Sequence, residues 1–441
     1  MDTFSNHLIN FGQKVTKIKI LKVIRSAFQQ FMPFTIIGAI ATLWTAVICN
    51  NQNGLGALWE PIMKLDFLNP AFTAVNFCTI GCISIGIALF MGIELGKENG
   101  VRTTFAGLLA VLSVFIVSPI QNIVTNDEGE VLATIKGIFE NNLSSKGMFT
   151  AMIVTIVVVT IFSKLCQVEQ LKIKMPEQVP PGISKSFEDL IPAGLSVVII
   201  SFVGLAVNLL TGGLYLNDLI SKFIQQPLMG IGGSLPGFLV FAFLILLFWS
   251  VGIHGESMVS GILNPLMTAL LLENLTMVQA GGEATNIINW VFFRIFLCTG
   301  GTGFGLALTL AIFLVGKRAD NRAIAKVAIV PNLFNIVEVN IFGVPIVLNP
   351  ILIIPFILAP IVCILFGYFM TFIGLCPVYY IQLPWTMPPF LFGFFASGGN
   401  FMGGLIQIIA VIISTLIYMP FVMAYEKQQN KEDELRLESE N

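Results

Sequence analysis

The chain has 441 residues, of which 56% are hydrophobic and only 11% charged, with a formal net charge of −2. Soluble domains carry about 25% charged residues, so this composition and a mean hydropathy of +0.87 exclude an ordinary soluble enzyme and predict an all-α polytopic membrane protein. A near-neutral charge gives no electrostatic reason to expect a nucleic-acid partner.

Residues 1–27 form a polar, basic N-terminal segment without the short apolar run and small-residue site of a cleavable signal peptide. Apolar runs then predict about ten crossings, at 28–49, 71–92, 103–120, 148–166, 190–212, 234–252, 258–273, 290–315, 350–373 and 402–424. Each approaches the ~20 residues that a helix rising 1.5 Å per residue needs, and the run at 258–273 is the weakest. Two broken apolar segments, near 331–346 and 376–400, read as re-entrant hairpins. The chain is expected to divide into an N-terminal helical block over 28–232 (scaffold and dimer interface), a transport block over 233–425 and a charged tail over 426–441, read as a frayed, solvated helix end. No internal repeat is visible.

Loop charge orients the spans. Lys14, Lys17, Lys19, Lys22, Arg25, Lys97, Arg102, Lys164, Lys172, Lys174 and Lys185 fall on one side of the first four spans, against Lys64, Lys136 and Lys146 on the other. The positive-inside rule makes the richer side, and both termini, cytoplasmic, with Lys317, Arg318, Arg322 and Lys326 on the same side. The segment 121–147, with Asp127, Glu128 and Glu130, reads as an outer surface loop, and 213–232 as an amphipathic interfacial helix. Within the charged turn 94–102, Glu94 and Lys97 are spaced to pair on one helical face.

The seven cysteines are scattered, and Cys78 and Cys82 have no neighbouring histidine or carboxylate cluster, so no metal and no cofactor is expected. Three polar interruptions carry the functional interest. Glu338 sits in a segment broken by Pro331, Gly343, Pro345 and Pro350; an ionisable residue in a discontinuous segment at membrane depth is a functional-site hypothesis, against a structural hydrogen-bonding role. His254, flanked by Gly252 and Gly255, is suited either to contact a hydroxylated solute or to satisfy loop carbonyls, while the adjoining Glu256 reads as a wet loop residue. Trp385 and Thr386 lie in the stretch 383–400, where Trp385 offers a flat face to a sugar ring or belongs to an interfacial aromatic belt; Trp44, Trp59 and Trp290 fit the belt better. The run Gly300-Gly-Thr-Gly-Phe-Gly305 reads as close helix packing rather than a dinucleotide fingerprint.

Taken together, the block Pro180–Pro192, Gly252-Ile-His-Gly255, Glu338, Ile341–Pro350 and Pro384-Trp-Thr-Met-Pro388 resembles the membrane permease subunit, IIC, of the lactose/cellobiose/diacetylchitobiose branch of the bacterial phosphotransferase system. The resemblance implies a homodimeric permease with an elevator-type IIC fold in the bacterial cytoplasmic membrane. Its partners would be a disaccharide and a phosphorylated IIB protein, with IIA and HPr upstream. The chain would then be the membrane component of a sugar phosphotransferase, active only with IIB. Glu338 aligns with the carboxylate near the reactive 6-hydroxyl, making it the candidate catalytic group; His254 aligns with the site histidine and Trp385, beside Thr386, with the tryptophan that stacks on the sugar. Lys317, Arg318 and Arg322 are candidates for docking IIB.

The chain departs from the family pattern at Val337 and Val339, where Asn and Pro are usual, and at Asn400-Phe401, where Asp-Trp is often found. These departures bear on the substrate and leave open a divergent, non-transporting sugar-sensing paralogue. A chain ending at 441 without a phosphorylatable soluble domain favours a β-glycoside of cellobiose or diacetylchitobiose type over lactose. A proton-coupled secondary sugar transporter is the alternative from another class, since Glu338 and His254 also suit proton coupling.

Overall fold

A computed structural model of the chain describes residues 14, 17–51, 55–125, 131–176 and 178–440. His7, Asp127, Glu128 and Glu130 lie outside the described residues. Among the described residues six helices are long and apolar enough to cross a membrane, and eight if two bent pairs each count as one span. With the shorter apolar helices Thr103–Val117 and Gly305–Val315, every expected crossing has a helical counterpart. Large apolar side chains face outward, as on Phe202, Leu209 and Leu210, which are 64%, 71% and 86% exposed. That pattern suits hydrocarbon and would be a liability in water.

The chain clusters into two compact units, one formed by Lys17–Gly38 with Ala74–Gly230, the other by Ala39–Thr73 with the chain from Ile231 onward. Residues 39–73, grouped by the sequence with the first block, thus cluster with the later half of the chain. The break falls inside helix α1 (Lys19–Leu43).

The first unit is built on α2 (Ile83–Asn99), α3 (Thr103–Val117), α4 (Ser145–Leu165) and α5 (Pro181–Leu210). Close approach is bought by glycine: a Cβ on Gly92 would lie 2.7 Å from the Gly107 backbone. At one end, Lys22 pairs with Glu98 at 2.6 Å, Asn99 bonds Ser163 at 2.9 Å, and Arg102 reaches Ser186 at 3.0 Å and Asp189 at 3.5 Å. At the other, Lys146 meets Asp218 at 2.8 Å and Asn217 joins Thr150 and Asn142 at 2.6 and 3.0 Å. Those two sets are the ends that loop charge assigns to opposite sides of the membrane. Glu94 accepts from Gln30 at 2.8 Å rather than pairing with Lys97. Within the expected loop 121–147, strands β1 (Gln121–Thr125) and β2 (Val131–Lys136) pair antiparallel.

The second unit contains α6 (Leu235–Ser250), α7 (Gly255–Gln279), α8 (Trp290–Cys298), α9 (Gly305–Val315), α10 (Ala319–Leu333), α11 (Glu338–Gly343), α12 (Ile353–Phe372), α13 (Leu391–Ala396) and α14 (Phe401–Glu440). Two expectations change here. The run 290–315 is not one span: it breaks between α8 and α9, where Gly300, Gly301 and Gly303 take φ of +74°, +92° and +81° and Phe304 +59°. A helix cannot pass through residues in that region, and side chains there are strained. The tail is not frayed either. Helix α14 runs on to Glu440, and the Glu426 carboxylate is buried, accepting from the Lys317 N–H at 2.6 Å, the Arg318 N–H at 3.3 Å and Asn321 Nδ2 at 3.1 Å. It thereby satisfies amides at the start of α10 that the helix itself leaves open.

Candidate functional site

The predicted site residues all stand where helices stop. His254 caps α7: its Nδ1 accepts from the Ser257 N–H at 3.3 Å, and its exposed ring lies 4.5 Å, centroid to centroid, from the indole of Trp249. A ring nitrogen used this way leaves the opposite edge of the imidazole open. Glu338 begins α11, exposed, and its carboxylate has no hydrogen bond or ion pair among the described residues. Trp385 and Thr386 lie half-buried in the irregular stretch between α12 and α13, where Pro384, Pro388 and Pro389 leave the backbone without helix.

Four broken segments are tied together around these residues. The Leu348 N–H donates to the Ser250 carbonyl at 2.9 Å, joining the α6–α7 turn to the stretch after α11. Asn335, at φ +63°, accepts from the Gly300 N–H at 2.7 Å and donates to the carbonyls of Trp385 at 2.5 Å and Met387 at 3.2 Å. Val337, 4% exposed, fills the space that the glycine turn leaves: a Cβ on Gly301 would stand 2.3 Å from that of Val337. Behind it, Asn340 donates to the Gly305 carbonyl at 2.7 Å and to Thr309 at 3.0 Å, while Asn332 donates to Thr309 at 2.7 Å.

Sequence reading missed the charge at the centre. Glu256 is not a wet loop residue: its carboxylate pairs with Arg294 at 3.0 Å and accepts from the Thr302 hydroxyl at 2.5 Å and the Cys298 thiol at 3.5 Å. The Arg294 guanidinium lies over the rings of Trp290, Phe293 and Trp385 at 5.2, 5.3 and 5.7 Å. Trp290 therefore belongs to this cluster rather than to a peripheral belt. Arg294 was visible as the one charged residue in the run 290–315, the signal that marks function inside a span. Asn335 carried no such signal. Two buried donors, Trp249 Nε1 and Arg294 Nε, have no protein acceptor among the described residues.

The chemistry on offer is a carboxylate without a partner among the described residues, a histidine with one edge open, and an indole contacted from two sides. The set suits a polyhydroxylated, uncharged ligand: polar groups to meet hydroxyls and aromatic faces to meet C–H surfaces. Among the described residues there is no group of three or more His, Cys, Asp or Glu placed to hold a metal ion.

Comparison with known proteins agrees with that reading. A family model described as "Phosphotransferase system, EIIC" matches residues 25–360. The chain is 32% identical over 97% of its length, and 94% of the relative, to the oligo-beta-mannoside-specific EIIC component of Bacillus subtilis. It is likewise 32% identical, over 96% of its length and 93% of the relative, to the cellobiose-specific EIIC component of Geobacillus stearothermophilus. Among solved structures, the transporter ChbC, the IIC component from the N,N'-diacetylchitobiose-specific phosphotransferase system, superposes with a TM-score of 0.91 at 29% identity, covering 98% of this chain and 99% of that one.

Proposed function

Because the chain belongs to the phosphotransferase-system EIIC family of sugar permeases, we propose that it binds a β-linked disaccharide of cellobiose or diacetylchitobiose type, carries it across the cytoplasmic membrane and presents its 6-hydroxyl to phosphorylated IIB. The observation that carries this reading is the unpaired Glu338 carboxylate in a region tied to Trp385 through Asn335. The carboxylate is exposed and, among the described residues, takes no hydrogen bond or ion pair, so it is open to a substrate hydroxyl and its proton.

In the proposed step the 6-oxygen attacks the phosphorus of the IIB phosphocysteine. An O–P bond forms, the P–S bond breaks, the hydroxyl proton passes to Glu338, and a thiolate remains on IIB. His254 orients the hydroxyl, Trp385 holds the ring by its C–H face, and Thr386 supplies a neighbouring hydroxyl. Arg294 braces Trp385 with its charge balanced by Glu256.

The unit from Ile231 onward would be the transport element of an elevator-type motion, and the unit of Lys17–Gly38 and Ala74–Gly230 the scaffold on which two copies pair. Both termini would be cytoplasmic, by the loop-charge count. The basic surface for IIB is smaller than sequence suggested. Arg318 is held by Asp320 and Asp433 at 2.8 and 2.7 Å, and Arg322 donates to the Gly316 carbonyl at 3.1 Å.

The test is uptake of labelled cellobiose, diacetylchitobiose and lactose into vesicles carrying the protein, with and without phosphorylated IIB inside, alongside Glu338→Gln. Phosphorylated product that requires both IIB and Glu338 is the expected result. Unmodified sugar accumulating on a proton gradient without IIB would overturn it in favour of secondary transport. Sugar binding without any uptake would leave a sensing role.

A further inference from the structure

We infer that Asn335 is a positioning residue of the sugar site, one that sets the place of Trp385 relative to Glu338; the inference rests on the reading of the site given above. Two separate pieces of broken backbone converge on this one amide, which itself stands on a third. Its Oδ1 accepts from the Gly300 N–H at 2.7 Å, and its Nδ2 donates to the carbonyls of Trp385 and Met387 at 2.5 and 3.2 Å. Gly300 opens the turn that carries Thr302, whose hydroxyl holds Glu256 at 2.5 Å. Trp385 carries the stacking face, and Glu338 stands three residues along the chain from the amide itself.

The residue type fits the task. An amide donates and accepts at once, which a carboxylate or a hydroxyl in this place cannot do for one N–H and two carbonyls. The backbone is at φ +63°, where Asn is among the few side chains tolerated. The irregular stretch around Trp385 is outside any regular helix over 377–390; one backbone turn, Met387 N–H to the Pro384 carbonyl at 3.0 Å, closes around the indole-bearing residue, and the Asn335 amide ties that turn to the rest of the site. A site residue displaced by even a fraction of an ångström loses much of its effect.

The test separates a clamp from a residue needed only for folding. Asn335→Gly keeps the left-handed backbone and removes all three bonds; Asn335→Asp keeps the acceptor for the Gly300 N–H and removes the donors. Binding of cellobiose and diacetylchitobiose to each purified variant is measured by calorimetry, together with Trp385→Ala and the double variant Asn335→Gly/Trp385→Ala. Both single Asn335 variants are expected to bind about tenfold to a hundredfold more weakly. The decisive expectation is non-additivity: the double variant should bind no more weakly than Trp385→Ala, because the clamp acts through the indole. Additive losses, or wild-type affinity in Asn335→Gly, would overturn the inference and leave the sugar site standing. Sugar affinity unchanged by Trp385→Ala would instead overturn the site reading, and the inference with it.

Discussion

Glu256→Gln should be a costly change in the second unit although it replaces a single oxygen by an amide nitrogen. The carboxylate and the Arg294 guanidinium stand 3.0 Å apart with side chains only 21% and 18% exposed, so solvent screening removes little of their interaction. Removing one member of such a pair leaves the other buried and uncompensated, a loss of ~3–5 kcal/mol. The three rings around Arg294 return part of it, at about 0.5–2 kcal/mol for a desolvated cation–π contact, which leaves a net cost of roughly 2–4 kcal/mol. Arg294→Met in the same background removes the stranded charge while keeping an apolar stem of similar length. The double variant should therefore be more stable than Glu256→Gln alone, by roughly 1–3 kcal/mol. The assay is unfolding of the detergent-solubilised protein by titration with SDS, run for both single variants and the double. Two losses that simply add would show that the 3.0 Å contact carries no coupling, and a Glu256→Gln protein within about 0.5 kcal/mol of wild type would refute the claim that Arg294 depends on it.

Gly301→Ala should lose ~2–4 kcal/mol in the same titration, since the added methyl meets the Val337 Cβ at 2.3 Å at a φ of +92°; a neutral result would mean that the turn is not packed on Val337. Glu426→Ala should cost ~1–3 kcal/mol and speed hydrogen exchange of the Lys317 and Arg318 amides that it accepts from; unchanged protection there would count against the contact. The start of α10 also has a pH signature. A hydrogen bond from Arg318 holds the Asp320 carboxyl below the usual carboxylate range. A group lowered on folding stabilises above its unfolded value of about 3.9 and stops doing so as pH falls through the lower folded value. Hydrogen-exchange protection of the Asn321 N–H, which the Asp320 carboxylate accepts from at 2.8 Å, should thus hold, after correction for intrinsic exchange, from about pH 8 to about pH 5 and fail only below about pH 4. Loss of protection near neutrality would point to another group.

The spans were legible because a membrane demands long apolar runs, and few sequences supply them by accident. The weakest expectation, 258–273, became a full helix to Gln279 because its polar interruption is paid for internally. Asn274, fully buried, donates to the carbonyls of Asn286 and Tyr379 at 2.9 and 3.0 Å and accepts the Asn286 N–H at 2.8 Å. A hydropathy count sees only the cost of that amide. The break inside 290–315 was hidden for the opposite reason: glycines in an apolar run are compatible with helix packing and with left-handed turns alike, and only backbone angles separate the two. Glu256 with Arg294, and Asn335 with Gly300 and Trp385, are contacts across 38, 35 and 50 residues, so local spacing carries no trace of them.

Three of the four departures from the family pattern, Val337, Asn400 and Phe401, take on a different meaning once each has a place. Asn400 accepts from the Met402 N–H at 2.9 Å, directly before α14; as a helix cap, Asn and Asp are close equivalents. Phe401 packs edge-on against Phe390 at 5.5 Å, a contact that any aromatic side chain can make. Val337 is turned into the glycine turn, packed at Gly301 and Gly305. An amide at 337 would sit in that buried space and need partners there, so its loss alters packing behind Glu338 before it alters any contact in front. In the proposed site the residues left to discriminate among sugars are those whose polar edges or flat faces remain open, His254, Glu338 and Trp385, together with the proposed Asn335 and Arg294 contacts that hold the indole. All three of the former match the family motif, and on the proposed reading specificity follows from how the broken segments place them rather than from the exchanged side chains at 337, 400 and 401.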